Sequence, residues 1–162
     1  MMSEEWNLKK IKENYSVFKE KYNLPDFEKL NEDFHVEKIA ESETDFLVRE
    51  IRECITEKFL NYLRFIESLI NPCNSPMFVF ALTKALGVKD KEKLMEVYKK
   101  IAKIEVDLIE LDLEYSEKKE ADSINKYYNM WQQIKTDLTE IVRVMKKNWD
   151  AKAEEDKGNY LG

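Results

Sequence analysis

Residues 91–115 read KEKLMEVYKKIAKIEVDLIELDLEY, and the folding of this stretch decides the fold class. Leu94, Val97, Ile101, Ile104, Leu108, Leu111 and Tyr115 recur at alternating steps of three and four, which lays them along one side of a helix. Within it, Ile104-Glu105-Val106-Asp107-Leu108 also alternates as a strand does. The helical reading prevails because the repeat begins well before that pentad and no turn residue bounds it. A second row, Ala102, Val106, Ile109 and Leu113, runs along the other side. A helix with two apolar rows needs neighbours on both.

The same period extends in both directions along the chain. Ile124, Tyr127, Trp131, Ile134, Leu138, Ile141 and Met145 repeat in the following segment, with Tyr128, Val142 and Trp149 broadening the face. The apolar phase slips between Tyr115 and Ile124, which predicts a break near Ser116 rather than one rod. Upstream, Leu47, Ile51, Ile55, Phe59, Tyr62, Ile66 and Leu69 mark a long helix capped by Ser42 or Thr44. Arg49, Arg52, Glu53, Glu57, Asn61 and Arg64 fall off that face and are expected in solvent. Leu8, Ile11, Tyr15, Phe18 and Tyr22 define a first helix, which Asn23-Leu24-Pro25-Asp26 ends. Phe27, Leu30 and Phe34 define a second, and residues 35–41 are ambiguous. Ser75-Pro76 starts a short segment, Met77-Phe78-Val79-Phe80-Ala81-Leu82, which is apolar all round and expected to be buried. Gly87 terminates it and Asp90 caps the next helix.

Glycine and proline number only three each in 162 residues, too few for the turns of a sheet protein. The expectation is all-α: a single-domain helical bundle of five to six helices, near-antiparallel long helices with one short buried helix. Helices are expected near residues 4–22, 26–34, 43–70, 76–86, 90–115 and 117–149. The bundle occupies residues 1–150, and 151–162 form a flexible C-terminal tail. At 43% hydrophobic and 37% charged, the composition suits a folded chain rather than a disordered one.

The formal net charge of −6, with lysines interleaved among acids, argues against a nucleic-acid partner, whose phosphates call for a basic stripe. No apolar run approaches the ~20 residues of a membrane span. The acidic start lacks the pattern of a secretory signal, so the chain is expected to be cytoplasmic. Cys54 and Cys73, with no CxxC, are read as free thiols.

Histidine chemistry rests on His35 alone. Glu32 and His35 form one E-x-x-H pair, whereas a di-iron bundle site needs two such pairs and two further glutamates. The pair is therefore read as surface, with no metal expected there. Three glycines cannot build a phosphate loop, and no nucleophile elbow is present. Carboxylates are the abundant catalytic currency. Asp107, Glu110, Glu114 and Glu117 follow at steps of three, four and three, and Glu50, Glu53 and Glu57 form a second stripe. Such stripes suit Mg²⁺ or Mn²⁺, which prefer oxygen ligands, and paired E-x-x-E helices serve metal-dependent all-α nucleotide pyrophosphatases. The E-x-x-D partner of that family is absent from this chain, and the stripes are read as solvated faces. Tyr127, Tyr128, Met130, Trp131, Met145 and Trp149 have the composition of a pocket lining, yet lie on core stripes and are read as packing.

Two function classes follow. The leading one is a non-enzymatic helical interaction or scaffold module with no cofactor, engaging a protein partner or self-associating. The other is a carboxylate-based divalent-metal enzyme, using Mg²⁺ or Mn²⁺ on a phosphorylated small molecule. The second row on the 91–115 helix is expected to find internal cover from the 43–70 and 76–86 helices, with weak dimerisation elsewhere. Exposed, that row would leave an apolar patch of a few hundred Å², near the limit for soluble monomers.

Overall fold

A computed structural model describes the backbone of residues 2–159 and the side chains of 7–151. It is all-α, with no strand among the described residues. The described residues form six α-helices in order: α1 (Met2–Tyr22), α2 (Phe27–Phe34), α3 (Leu47–Ile70), α4 (Met77–Ala85), α5 (Val88–Leu113) and α6 (Glu117–Asn159). Short 3-10 turns occupy Val36–Glu41 and Pro72–Asn74. The pentad Ile104 to Leu108 is helical throughout.

Local chemistry sets the boundaries. Asn23 adopts a left-handed conformation after α1 (φ 52°), and the Leu24 N–H donates back to the Lys19 carbonyl at 3.1 Å. This is a Schellman-type stop with asparagine in glycine's place. The Ser116 hydroxyl accepts the Lys119 N–H at 3.3 Å, capping α6. At α3 the expected cap is displaced: the Thr44 hydroxyl accepts the Phe46 N–H at 3.0 Å, and the helix begins only at Leu47. Asp90 likewise lies inside α5 rather than before it. Its carboxylate accepts the Gly87 N–H at 3.0 Å, the reach-back half of a capping box. Where the sequence suggests a tail, α6 runs on to Asn159. Its 43 residues correspond to about 64 Å of helix.

The chain forms two compact units, and α3, α5 and α6 contribute to both. The first comprises Met1–Leu60 with Ile104–Trp131. Tyr15, Leu30, Ile51, Ile55, Phe59, Ile124 and Tyr127 are its fully buried large side chains outside the α5 segment. The Phe59 ring meets Trp131 edge-on at 5.5 Å and Tyr127 at 6.2 Å, while Phe34 lies 5.9 Å from Trp131. Ion pairs Asp107–Lys126 and Glu110–Lys119 make α5 and α6 antiparallel here. The α3 segment runs parallel to α6, since Arg52 meets Glu120 and Phe59 meets Tyr127.

The second unit comprises Asn61–Lys103 with Gln132–Gly162. Leu63, Ile66, Leu69, Val79, Leu94, Val97, Ile101, Ile134, Leu138, Ile141 and Met145 form its core. Lys93 pairs with Asp137 and Glu140 across α5 and α6. The Asn148 side-chain amide donates to the Ala85 carbonyl at the end of α4, and the Thr83 hydroxyl to the Leu69 carbonyl in α3.

Two expectations of burial fail here. The apolar helix α4 buries only Val79 and Ala85, leaving Met77 87%, Phe78 54% and Phe80 38% exposed. A nine-residue helix laid on a surface has one inward face, and its remaining apolar residues point outward. Trp149 and Val142, placed by periodicity on the α6 core face, are exposed as well.

Trp131 and Phe59, by contrast, are core residues as expected. Replacing Trp131 by Ala should lower stability by about 3–5 kcal/mol, the range for deleting a buried large side chain. The shift in the chemical-denaturation midpoint reads this, and a near-neutral change would contradict the packing described.

Candidate functional site

The first turns of α6 carry a fully buried carboxylate, Glu120. Two arginines of α3 reach it. Arg52 Nε donates to Oε2 at 2.7 Å and Arg52 Nη2 to Oε1 at 3.3 Å, while Arg49 Nε donates to Oε1 at 3.1 Å. Positions 49 and 52 are one turn apart, so one helix face offers both guanidinium groups. The positive end of the α6 dipole adds to the attraction. Arg52 is itself buried. Burial works against its charge, but the hydrogen bonds and field of Glu120 outweigh it, holding the guanidinium above its ordinary pKa. Its Nη2 also lies 3.7 Å from both Glu53 of α3 and Asp112 of α5. Arg52 thus leaves the solvated face to which its spacing assigned it. The α3 register that buries Ile51 and Ile55 turns residue 52 toward α6, and a buried glutamate there requires a cation.

Around this pair the surface is aromatic and cationic. The Arg49 guanidinium sits 4.7 Å over the Tyr115 ring, and Phe46 meets Tyr115 edge-on at 5.2 Å. Glu117 accepts hydrogen bonds from Lys21 Nζ at 2.9 Å and the Tyr22 hydroxyl at 2.6 Å, fastening the end of α1 to the start of α6. The Lys21 and Tyr22 bonds, in that order, hold the Glu117 carboxyl below its ordinary value.

The carboxylate stripes are thereby accounted for. Asp107 pairs with Lys126, Glu110 and Glu114 with Lys119, and Glu117 with Lys21. In α3, Glu57 pairs with Lys38, Glu53 lies near Arg52, and Glu50 accepts from the Thr44 hydroxyl at 3.4 Å. Where α3, α5 and α6 bring carboxylates together, at Glu53, Asp112 and Glu120, the centre is held by the Arg52 guanidinium. A fixed cation at that point repels a divalent ion. Among the described residues no group of three His, Cys, Asp or Glu side chains is arranged to hold a metal.

The remaining candidates are structural. His35 is exposed and left-handed (φ 53°) at the end of α2, its N–H donating to the Asn31 carbonyl at 2.9 Å. The helix stops there, so Glu32 and His35 do not share the helical face that an E-x-x-H ligand pair needs. Cys54 is buried, and burial pushes its thiol up to about 11, far from a reactive thiolate; Cys73 is exposed in the second 3-10 turn. Tyr127, Trp131 and Met145 are buried in packing, while Tyr128 and Met130 are half-buried. A polar cavity of about 360 Å³ lies between α1 and the irregular segment before α3, lined by Asn7, Asn14, Ser42, Thr44 and Asp45 among others.

The residues left over are apolar. Val106, Ile109 and Leu113, on one face of α5, are 66%, 61% and 83% exposed, and Ala102 is half-buried. The internal cover expected for this row is not found: all three side chains stay more than half exposed, and Arg52 of α3 approaches α5 at Asp112 instead. With α4, this gives two exposed apolar patches, one in each unit. No family model, curated protein or solved structure matches the chain. Among the described residues no helix is long and apolar enough to cross a membrane.

Two outcomes test this geometry. Glu120→Gln should destabilise the fold by about 3–5 kcal/mol, because it strands a buried guanidinium, and a loss under 1 kcal/mol in equilibrium unfolding would refute the role given to the pair. The depressed Glu117 carboxyl stabilises the fold fully above the ordinary glutamate value of 4.5, and that contribution is lost as pH falls through its lower folded value. The protection of α1 amides, taken relative to their intrinsic exchange rates, should therefore fall only below pH 4.5, and Glu117→Gln should remove that step.

Proposed function

We propose that this protein is a non-enzymatic helical interaction module that engages a protein partner through exposed apolar helix faces. The observation that carries the reading is the α5 row Val106, Ile109 and Leu113, more than half exposed at each position. Steps of three and four place these side chains as a continuous ridge, the form in which amphipathic helices read one another. Large apolar residues clustered on a soluble surface mark interaction sites more often than chance exposure does.

The chemistry of the polar groups supports the same reading. The carboxylates Asp107, Glu110, Glu114, Glu117 and Glu120 pair with lysines or arginines, and burial raises the pKa of the Cys54 thiol. The fixed Arg52 cation among the α3, α5 and α6 carboxylates weighs against the metal-enzyme alternative.

Ile109→Asp tests the proposal. A surface position changes stability by under about 0.5 kcal/mol, so the variant should stay folded with a melting temperature close to that of the parent. Gross destabilisation at every protein concentration would mean that Ile109 is core and the proposal wrong. A Mg²⁺ or Mn²⁺ titration by thermal shift should leave the melting temperature unchanged; a saturable rise would support the metal-enzyme reading instead.

A further inference from the structure

The two apolar patches sit in opposite electrostatic settings. Residues 104–117, which carry the α5 row, hold six acids and no base. Five of these pair with Lys126, Lys119, Arg52 or Lys21 of other segments, so the excess of acid is read from the net charge of the whole unit rather than from this stretch alone. Residues 68–89, which carry α4, hold two lysines, Lys84 and Lys89, and no acid. The contrast extends to the units themselves. The first has 23 acidic and 13 basic residues, net −10, and the second 10 acidic and 14 basic, net +4. A global charge of −6 conceals this division.

We infer, resting on the interaction-module reading, that the partner is a second copy of this chain, bound head to tail: the α4 patch of one copy docks on the α5 row of the next. Met77, Phe78 and Phe80 supply apolar knobs, and Val106, Ile109 and Leu113 the ridge that receives them. Lys84 and Lys89 meet the acids flanking the ridge, chief among them Glu105 and Glu110. Each patch against its own kind would set like charges together, which electrostatic complementarity disfavours. The pairing is heterologous, so any open assembly still offers one free patch of each type, one at either end, and growth continues into rings or open chains.

A heterologous contact has a signature that a two-fold contact lacks. Ile109→Asp spoils only the ridge, and Phe78→Asp only the knob. In sedimentation equilibrium the parent should form species larger than a dimer as concentration rises. Each variant alone should be monomeric, its self-association weakened at least about tenfold by a charge in the apolar contact. An equimolar mixture of the two should give a dimer that grows no further, through the intact knob of one and the intact ridge of the other. Raising salt from about 0.1 M to about 1 M shortens electrostatic reach from ~10 Å to ~3 Å and should weaken the parent assembly. A parent that stays monomeric, variants that assemble alone, or a mixture that stays monomeric would each overturn the head-to-tail inference while leaving the interaction-module reading standing. Unfolding of the variants by circular dichroism would instead defeat both. A second pair, Glu105→Lys with Glu110→Lys and Lys84→Glu with Lys89→Glu, alters only exposed charges and carries the same logic. Each double variant should lose assembly alone and recover it as a mixture, and assembly indifferent to these reversals would also overturn the inference.

Discussion

In the first unit the central constraint is a buried negative charge. Glu120 loses its water entirely when α6 docks, and an unpaired carboxylate in that position would cost several kcal/mol. Both arginines one turn apart on α3 are drawn to it, which fixes the rotation of α3 about its own axis. With that rotation set, Ile51, Ile55 and Phe59 face inward, and Phe59 meets Tyr127 and Trp131. Arg49 in turn holds the ring of Tyr115 in the α5–α6 break, and Arg52 approaches Asp112 near the end of α5. A hydrophobic pair of similar volume would serve stability as well, but without this directional register.

The helices were legible because a period of 3.6 needs no tertiary information. The seven-position rows of α5 and α6 predicted two helices and the slip between them, and the break falls at Glu114–Ser116. Core residues were legible where large apolar side chains recur on one side, as at Phe59, Trp131 and Ile134. Periodicity failed where it had to supply a neighbour. It showed that α5 has two apolar rows, but not that only one would be covered. It also read α4 as buried from composition, when a short helix can bury little more than one face.

The buried ion cluster was illegible for a different reason. Arg52 and Glu120 are 68 residues apart, and in a chain with 60 charged residues any arginine off the apolar stripe reads as solvated. One signal was present: Arg49 and Arg52 lie a turn apart on a helix whose acids otherwise outnumber its bases at its start, and Glu120 occupies a first turn where α6 needs acids. Neither fact pairs them without the fold. The carboxylate stripes show the converse. Their spacing is as a metal site would have it, yet Lys21 and Lys38 from other elements, and Lys119 and Lys126 from the helix that follows, pair with them.

Exposure of the α5 row follows from where α1 is spent. In the first unit, α1 is the long helix best able to cover a ridge of three residues. Its C-terminal end is tied to Glu117 through Lys21 and Tyr22, and the Tyr22 carbonyl accepts from Asn125 at 3.2 Å. Its middle is tied to α2 by Tyr15 against Phe27 and by Lys12 and Lys19 against Glu28 and Asp26. Near its start, Asn7 donates to the Ala40 carbonyl in the first 3-10 turn. Each of these contacts draws α1 onto α2, the turn after it and α6, so the helix has no length left for Val106, Ile109 and Leu113. Covering that ridge internally would mean breaking polar ties from both ends of α1 to gain three apolar contacts. The fold keeps the ties and leaves the ridge to solvent.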